Sequence, residues 1–169
     1  MTTHDEIREV LRRAYQIEVD GYTFYSMTAD KADKPAVQEL FGKLADDEVE
    51  HKLYLKDVMG KFEADGVEAF NVAKRDPVLK SFTATIFSDD FRKQAEGADF
   101  EVGVLSIGMT LESRAIKYFS GAAEKAEEAE VRDFYTFLAD WEKQHLDALQ
   151  QLYNGVRQDF WADSGFSPF

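Results

Sequence analysis

One eight-residue pattern occurs twice in this sequence, and this repeat constrains the fold more than any other feature. The pattern is Leu-Ala-Asp-x-Glu-x-x-His, and it ends at His51 in the first half and at His145 in the second. A further glutamate stands 33 residues before each histidine, at Glu18 and at Glu112. The two halves are therefore related by an offset of 94 residues, which predicts that one structural unit occurs twice along the chain.

Each repeat has the pattern of a helical hairpin. Apolar residues recur at helical spacing from residue 3 to about 30, and again from 37 to a stop near Gly60. In the second half the same spacing runs from about 99 to a turn near 125–128. It resumes at about 129 and reaches a C-cap signal at Asn154-Gly155. The sequence therefore predicts four helices in two pairs.

A weakly patterned stretch of about 30 residues separates the two pairs and is broken by Pro77 and Gly97. Two hairpins joined by one long crossover describe an all-α four-helix bundle with ferritin-like connectivity. A three-helix protein with an appendage is the alternative. We expect a bundle domain over residues 1–156, with its crossover at about 65–98. An aromatic tail over residues 157–169 is expected to cover the bundle or a partner subunit; its large side chains are Phe160, Trp161, Phe166 and Phe169.

The repeated acids and imidazoles are predicted to meet in the middle of this bundle. With a turn centred near Asp33, Glu18 and Glu48 each lie about 15 residues from the turn, or roughly 22 Å along antiparallel helices. Glu48 and His51 then share one helix face. The second hairpin repeats this arrangement, so six ligands converge: Glu18, Glu48, His51, Glu112, Glu142 and His145.

The chemistry of this set favours two divalent cations. A single Glu-x-x-His is weak evidence, since such pairs often meet on a solvated helix surface, but an accidental repeat of both histidines and both partner glutamates is far rarer. Burying four carboxylates costs several kcal/mol each unless something neutralises them. A site rich in carboxylates and without thiolates suits iron or manganese, although zinc would also bind.

Composition excludes several other classes of protein. The chain has no Cys, so it cannot hold a disulfide, an iron–sulfur cluster or a thiolate zinc site. Its net charge of −13 argues against general binding to nucleic acid or to anionic membranes. No run approaches the 18 apolar residues of a membrane span. The start of the sequence lacks the pattern of a secretory signal, so we expect a cytoplasmic protein.

The helices and the six-ligand motif resemble the ferritin-like di-iron superfamily, and most closely a rubrerythrin-like protein without a rubredoxin domain. The resemblance covers roughly residues 3–64 and 98–156. It implies two iron ions bound by the six residues, with Glu48 and Glu142 bridging, and a reduced centre that reacts with O₂ or H₂O₂. Tyr25 matches a tyrosine often found beside such sites and is the candidate catalytic side chain, with a core aromatic as the alternative role.

The sequence departs from the peroxidase members of that family at two points. They typically have a further carboxylate one turn after the third-helix glutamate, where this chain has Ala115. They also usually relay electrons through cysteine-ligated iron, for which this chain has no ligands. Asp47, one turn before His51, is a candidate acceptor for an imidazole N–H, although its repeat counterpart is Trp141.

Three functions fit these observations. The first is a di-iron oxidoreductase of ferroxidase or peroxidase type, which takes electrons from Fe(II) or from an external donor and forms a homodimer. The second is iron storage in a shell of subunits, for which the long crossover and the aromatic tail look poorly suited. The third is a binding module in which the metals are structural.

Overall fold

The computed structural model describes residues 3–73 and 99–163, which contain five α-helices and no strand. A 3₁₀ turn at Gly66–Glu68 and a short helix, α3, at Ala69–Ala73 follow the first hairpin. The other four helices are long, and they confirm the predicted all-α bundle: α1 is Thr3–Lys31, α2 is Pro35–Asp65, α4 is Asp99–Lys125 and α5 is Ala129–Asp163.

The long helices pack as two antiparallel pairs, α1 with α2 and α4 with α5. Both turns lie where the repeat predicts them, at residues 32–34 and 126–128. Gln38 Nε2 donates to the carbonyl oxygen of Ala32 at 2.7 Å, and Arg132 Nη2 donates to that of Ala126 at 2.9 Å. The two donor–acceptor pairs are related by the same offset of 94 residues. Both hairpins therefore satisfy a free carbonyl group at the turn in the same way.

Two predicted helix ends are wrong. Helix α2 continues past Gly60 to Asp65. Gly66 caps this end with a φ of 65° and donates its N–H to the carbonyl oxygen of Phe62. Helix α5 likewise continues through Gly155 to Asp163. A glycine inside a helix costs only about 1 kcal/mol, which packing beyond it offsets: Phe62, two positions past Gly60, is fully buried.

The hydrophobic core is divided into two clusters, one towards each end of the bundle. The first takes residues 7–14 of α1 and 55–62 of α2, with matching parts of α4 and α5. The second takes residues 25–32 of α1 and 37–45 of α2, again with partners on α4 and α5. On each long helix the predicted ligands fall between these two segments, so the apolar clusters enclose the polar site from both sides.

Some predictions fall on residues outside the described ranges. Residues 74–98, which make up most of the predicted crossover, are among these, as are residues 164–169 of the predicted tail. Helix α5 extends into the tail segment as far as Asp163. The division into a bundle and a tail stays a prediction. None of the helices in the described ranges combines the length and the apolar character needed to cross a bilayer.

Candidate metal centre

The structure brings all six predicted ligands together in the middle of the bundle. None of the six exceeds 5% exposure. Ligand atoms of five of the six form two groups that share one member, and within each group the atoms lie within 4.8 Å of one another. The groups are Glu18, Glu48 and His51 in one, and Glu48, Glu112 and His145 in the other.

Glu48 lies between the two imidazoles. Its Oε2 is 3.3 Å from His51 Nδ1, and its Oε1 is 3.4 Å from His145 Nδ1. Each imidazole has a second carboxylate neighbour, since Glu18 Oε2 is 3.0 Å from His51 Nδ1 and Glu112 Oε1 is 3.6 Å from His145 Nδ1. One carboxylate thus offers an oxygen to each half of the centre, which is the position of a bridging ligand.

Glu142, the repeat counterpart of Glu48, belongs to neither group. It is buried at 1% exposure, and burial, followed by the charges of Glu18 and Glu112, raises the pKa of its carboxyl group. The sequence repeat predicts equal roles for Glu48 and Glu142, but the two side chains have different neighbours; the bridging role of Glu142 stays a prediction.

Burial and mutual repulsion shift the ionisation of these groups. Burial, followed by the charge of Glu48, raises the pKa of Glu18 to about 8. Burial and the charge of Glu18 raise the pKa of Glu142 well above its usual range. Burial acts the same way on Glu112, but hydrogen bonding and charge from His145 outweigh it and lower that pKa. Burial opposes the charged form of His145, yet Glu48 and other acids raise its pKa well above normal.

The donor set fits a pair of divalent cations. Glu18 Oε1 and Glu142 Oε1 are buried and have no hydrogen-bond partner. Among residues 4–35, 37–71 and 102–154, whose side-chain burial the structure describes, no Lys or Arg is buried. No cation there neutralises the four carboxylates from within the core. Two divalent cations would neutralise four carboxylates and take both neutral imidazoles as ligands.

Tyr25 joins this cluster. The side chain is fully buried, and its hydroxyl donates a hydrogen bond to Glu112 Oε1. Burial, followed by the charge of Glu112, raises the pKa of this phenol well above its usual value, so the hydroxyl keeps its proton. Tyr25 is therefore both a core aromatic and a neighbour of the site.

Asp47 and Trp141 contact the imidazole of the opposite hairpin. Asp47 Oδ2 is 3.6 Å from His145 Nε2, so Asp47 faces the second hairpin's imidazole and not His51, one turn along its own helix. The indole of Trp141 stacks on His51 with centroids 4.1 Å apart and planes 9° apart. Asp47 and Trp141 are equivalent positions in the 94-residue repeat, so the same position of each hairpin contacts the imidazole of the other.

Gly21 is a site residue that the periodicity classed only as part of an apolar face. A Cβ at this position would lie 2.9 Å from Glu48 Oε1 and 3.1 Å from Glu48 Cδ. Real Cβ atoms do not approach other atoms so closely, so any larger residue must displace the Glu48 carboxylate. Gly21 therefore leaves room for the carboxylate that lies between the two imidazoles.

Gly21→Ala is expected to destabilise the protein and to weaken metal binding. Overpacking of this kind costs about 1–3 kcal/mol, which outweighs the gain of about 0.5–1 kcal/mol from replacing a helical glycine. Here the displaced group is also a predicted ligand. Gly60→Ala is the matched control, because Gly60 is exposed in α2 and an added Cβ meets nothing within 4 Å. The control should gain about 0.5–1 kcal/mol. Chemical denaturation and metal analysis of both variants measure these effects, and wild-type metal content in Gly21→Ala would contradict the role assigned to Gly21.

A cavity of about 330 Å³ opens onto the carboxylates from the side of α1 and α4. Glu48, Glu112 and Glu142 line its inner part, and Ala115 lies in its wall beside Glu112. Gly21 and Ala115 are equivalent positions in the 94-residue repeat, so a small residue follows the ligand glutamate by one turn on both helices. These small residues leave one face of the cluster accessible.

A bundle of two antiparallel helical hairpins with buried Glu and Glu-x-x-His residues defines the class of ferritin-like proteins. The rubrerythrin family model matches residues 9–153 of the sequence. The chain therefore belongs to the rubrerythrin family, a ferritin-like di-iron family. Comparisons with curated proteins and with solved structures gave no match.

Proposed function

We propose that this protein is a di-iron oxidoreductase whose centre reacts with O₂ or H₂O₂. The observation that carries the proposal is the buried cluster itself, in which four carboxylates and two imidazoles converge without a buried Lys or Arg among the residues whose side-chain burial is described. The six ligands that would hold the two ions are Glu18, Glu48, His51, Glu112, Glu142 and His145. Iron is the expected metal, with manganese or zinc as substitutes.

When bound, the iron pair supplies the electrons that reduce the oxidant. The protein's own residues have three tasks. The apolar clusters on both sides keep bulk water from the ends of the site. Tyr25 keeps its proton and donates its hydroxyl hydrogen to Glu112, which holds that carboxylate in one orientation. The cavity between α1 and α4 gives a small molecule access to Glu48, Glu112 and Glu142.

Anaerobic titration with Fe(II), followed by rapid mixing with an oxidant, tests this proposal. We expect about two Fe(II) per chain, both oxidised on mixing with O₂ or with H₂O₂ at equal concentration. We expect no strong preference for peroxide, because Ala115 stands where peroxidase relatives have a further carboxylate. A rate with peroxide about a thousandfold above that with O₂ would contradict this expectation; bound iron that neither oxidant oxidises would contradict the proposed function itself.

Ala115→Glu is expected to shift selectivity towards peroxide. Ala115 is buried and lies in the cavity wall beside Glu112, so a carboxylate there would add an oxygen ligand on the open face. Ser113→Glu is the control, because Ser113 is exposed on the same helix. The measurement is the ratio of the two oxidation rates by stopped flow, and an equal ratio in both variants would show that residue 115 does not reach the centre.

The homodimer, the external electron donor and the cytoplasmic location remain predictions. Native mass separates the dimer from iron storage, since a storage shell needs about two dozen subunits. Bound metal that is fully coordinated and that neither oxidant oxidises would favour the binding module.

A further inference from the structure

The cavity beside the centre is larger than O₂ or H₂O₂ requires. Its volume of about 330 Å³ is roughly ten times the share of one water molecule in the liquid, and it falls in the range of small-molecule binding sites. The wall includes the apolar side chains of Ile17, Leu111 and Ala115. A passage for a diatomic gas or for peroxide alone needs neither this volume nor this apolar surface.

Two arginines stand in the cavity wall, Arg13 on α1 and Arg114 on α4. Both are exposed, and neither makes a hydrogen bond or an ion pair with the described part of the chain. The charge of Arg13 reaches Tyr118, another lining residue, since Arg13 acts to lower the pKa of that phenol against burial and Glu9. Two guanidinium groups at one cavity, neither paired within the described ranges, are unexpected in a chain of net charge −13, where acids outnumber bases 33 to 20.

The charge balance of the cavity favours a single negative charge on its occupant. Two divalent cations would neutralise the four buried carboxylates, as argued above. The charges that remain in the wall are Arg13, Arg114 and Asp20. Asp20 Oδ1 already accepts a hydrogen bond from Gln16 at 2.8 Å. The wall therefore keeps a surplus of one positive charge beside an apolar surface.

We propose that this cavity binds a small organic carboxylate, whose anionic group pairs with Arg13 and Arg114 and whose apolar part packs against Ile17, Leu111 and Ala115. The inference rests on the proposed function in two respects: the bound metal pair enters the charge balance above, and the di-iron centre makes this molecule a substrate or effector. Guanidinium groups suit a carboxylate because their paired N–H donors match its two oxygens. The occupant holds its charge at the mouth and directs its apolar end towards Glu48, Glu112 and Glu142.

Binding of hexanoate to Zn(II)-loaded protein tests this, with hexanol as the uncharged probe of equal chain length. Zinc is redox-inert, so ligand-observed NMR and calorimetry report binding without turnover. We expect hexanoate to bind, and Arg13→Gln or Arg114→Gln to weaken it about tenfold, as expected for loss of a charge-assisted hydrogen bond. Arg12→Gln is the matched control, because Arg12 is exposed next to Arg13 and is not a lining residue. It should bind hexanoate as the wild type does.

Several outcomes would overturn the proposal. Equal affinity for hexanoate and hexanol would show that the charge is irrelevant. Equal weakening by Arg12→Gln would show a general effect of surface charge. Hexanoate binding that neither Arg13→Gln nor Arg114→Gln changes would place the carboxylate on the metal, with the opposite orientation. The proposed function is tested separately by Fe(II) stoichiometry and oxidation, which do not depend on Arg13 or Arg114, so the two can fail independently.

Discussion

Replacing Glu48 with glutamine is expected to remove metal from both halves of the centre, from about two ions per chain to fewer than one. The two oxygens of Glu48 face different imidazoles, and among the described residues Glu48 alone belongs to both groups of ligand atoms. Glutamine keeps the shape of the side chain but loses its negative charge and one of its two ligand oxygens. One half would then lose a ligand oxygen, and both halves would lose the negative charge that they share.

Metal analysis and anomalous scattering measure this effect, and two variants calibrate it. Glu50→Gln is the matched control, because Glu50 is exposed on the same helix and should keep two ions. His51→Ala should affect chiefly the half that holds Glu18, because His51 belongs to that group alone. Retention of two ordered ions in Glu48→Gln would show that Glu48 does not bridge.

The sequence predicts the polar cluster well because the cluster depends on short-range regularities. Helical spacing places Glu48 and His51 on one face, and equal distances from a turn place Glu18 level with Glu48. Both rules apply again 94 residues later. The pairing of Gln38 with Ala32, and of Arg132 with Ala126, shows that even the turns obey the repeat. All six predicted ligands are buried, and the repeat places three of them at equivalent positions in each hairpin.

The remaining features of the site depend on distances between helices, which periodicity does not give. Gly21 must lack a side chain because α2 runs close beside α1: the atoms nearest to a Cβ at Gly21 belong to Glu48. The contacts of Asp47 with His145 and of Trp141 with His51 depend on how the two hairpins face each other. The predictions that helices end at Gly60 and Gly155 were wrong. A glycine ends a helix where its backbone adopts a positive φ, as Gly66 does.

The metal-free protein is expected to lose stability as the pH rises from about 5 to 8, and bound metal is expected to reverse this loss. The pKa of Glu18 rises from 4.5 to about 8 on folding, chiefly through burial and then through Glu48. Between these values the folded state binds more protons than the unfolded state, so the free energy of unfolding falls with pH. The raised pKa values of Glu142 and His145 act in the same direction. The lowered pKa of Glu112 has its effect below pH 4.5, outside this window.

Thermal melting of metal-free and Zn(II)-loaded protein at pH 5, 6, 7 and 8 measures this dependence. The metal-free melting temperature should fall by about 10 °C or more across the series, since a loss of several kcal/mol in a chain of this size has that effect. The loaded protein should instead gain stability from pH 5 to about 7, because both imidazole ligands are neutral when metal is bound while free imidazoles protonate below about pH 6.5. Metal also binds the ionised carboxylates and adds its binding free energy to folding. Glu18→Gln should flatten the metal-free curve by removing one titrating group, while Glu9→Gln, at an exposed position on the same helix, should keep the wild-type slope. Equal melting temperatures of the two forms at pH 8 would mean that the clustered carboxylates are neutralised without metal, and the case for a resident metal pair would fall with that result.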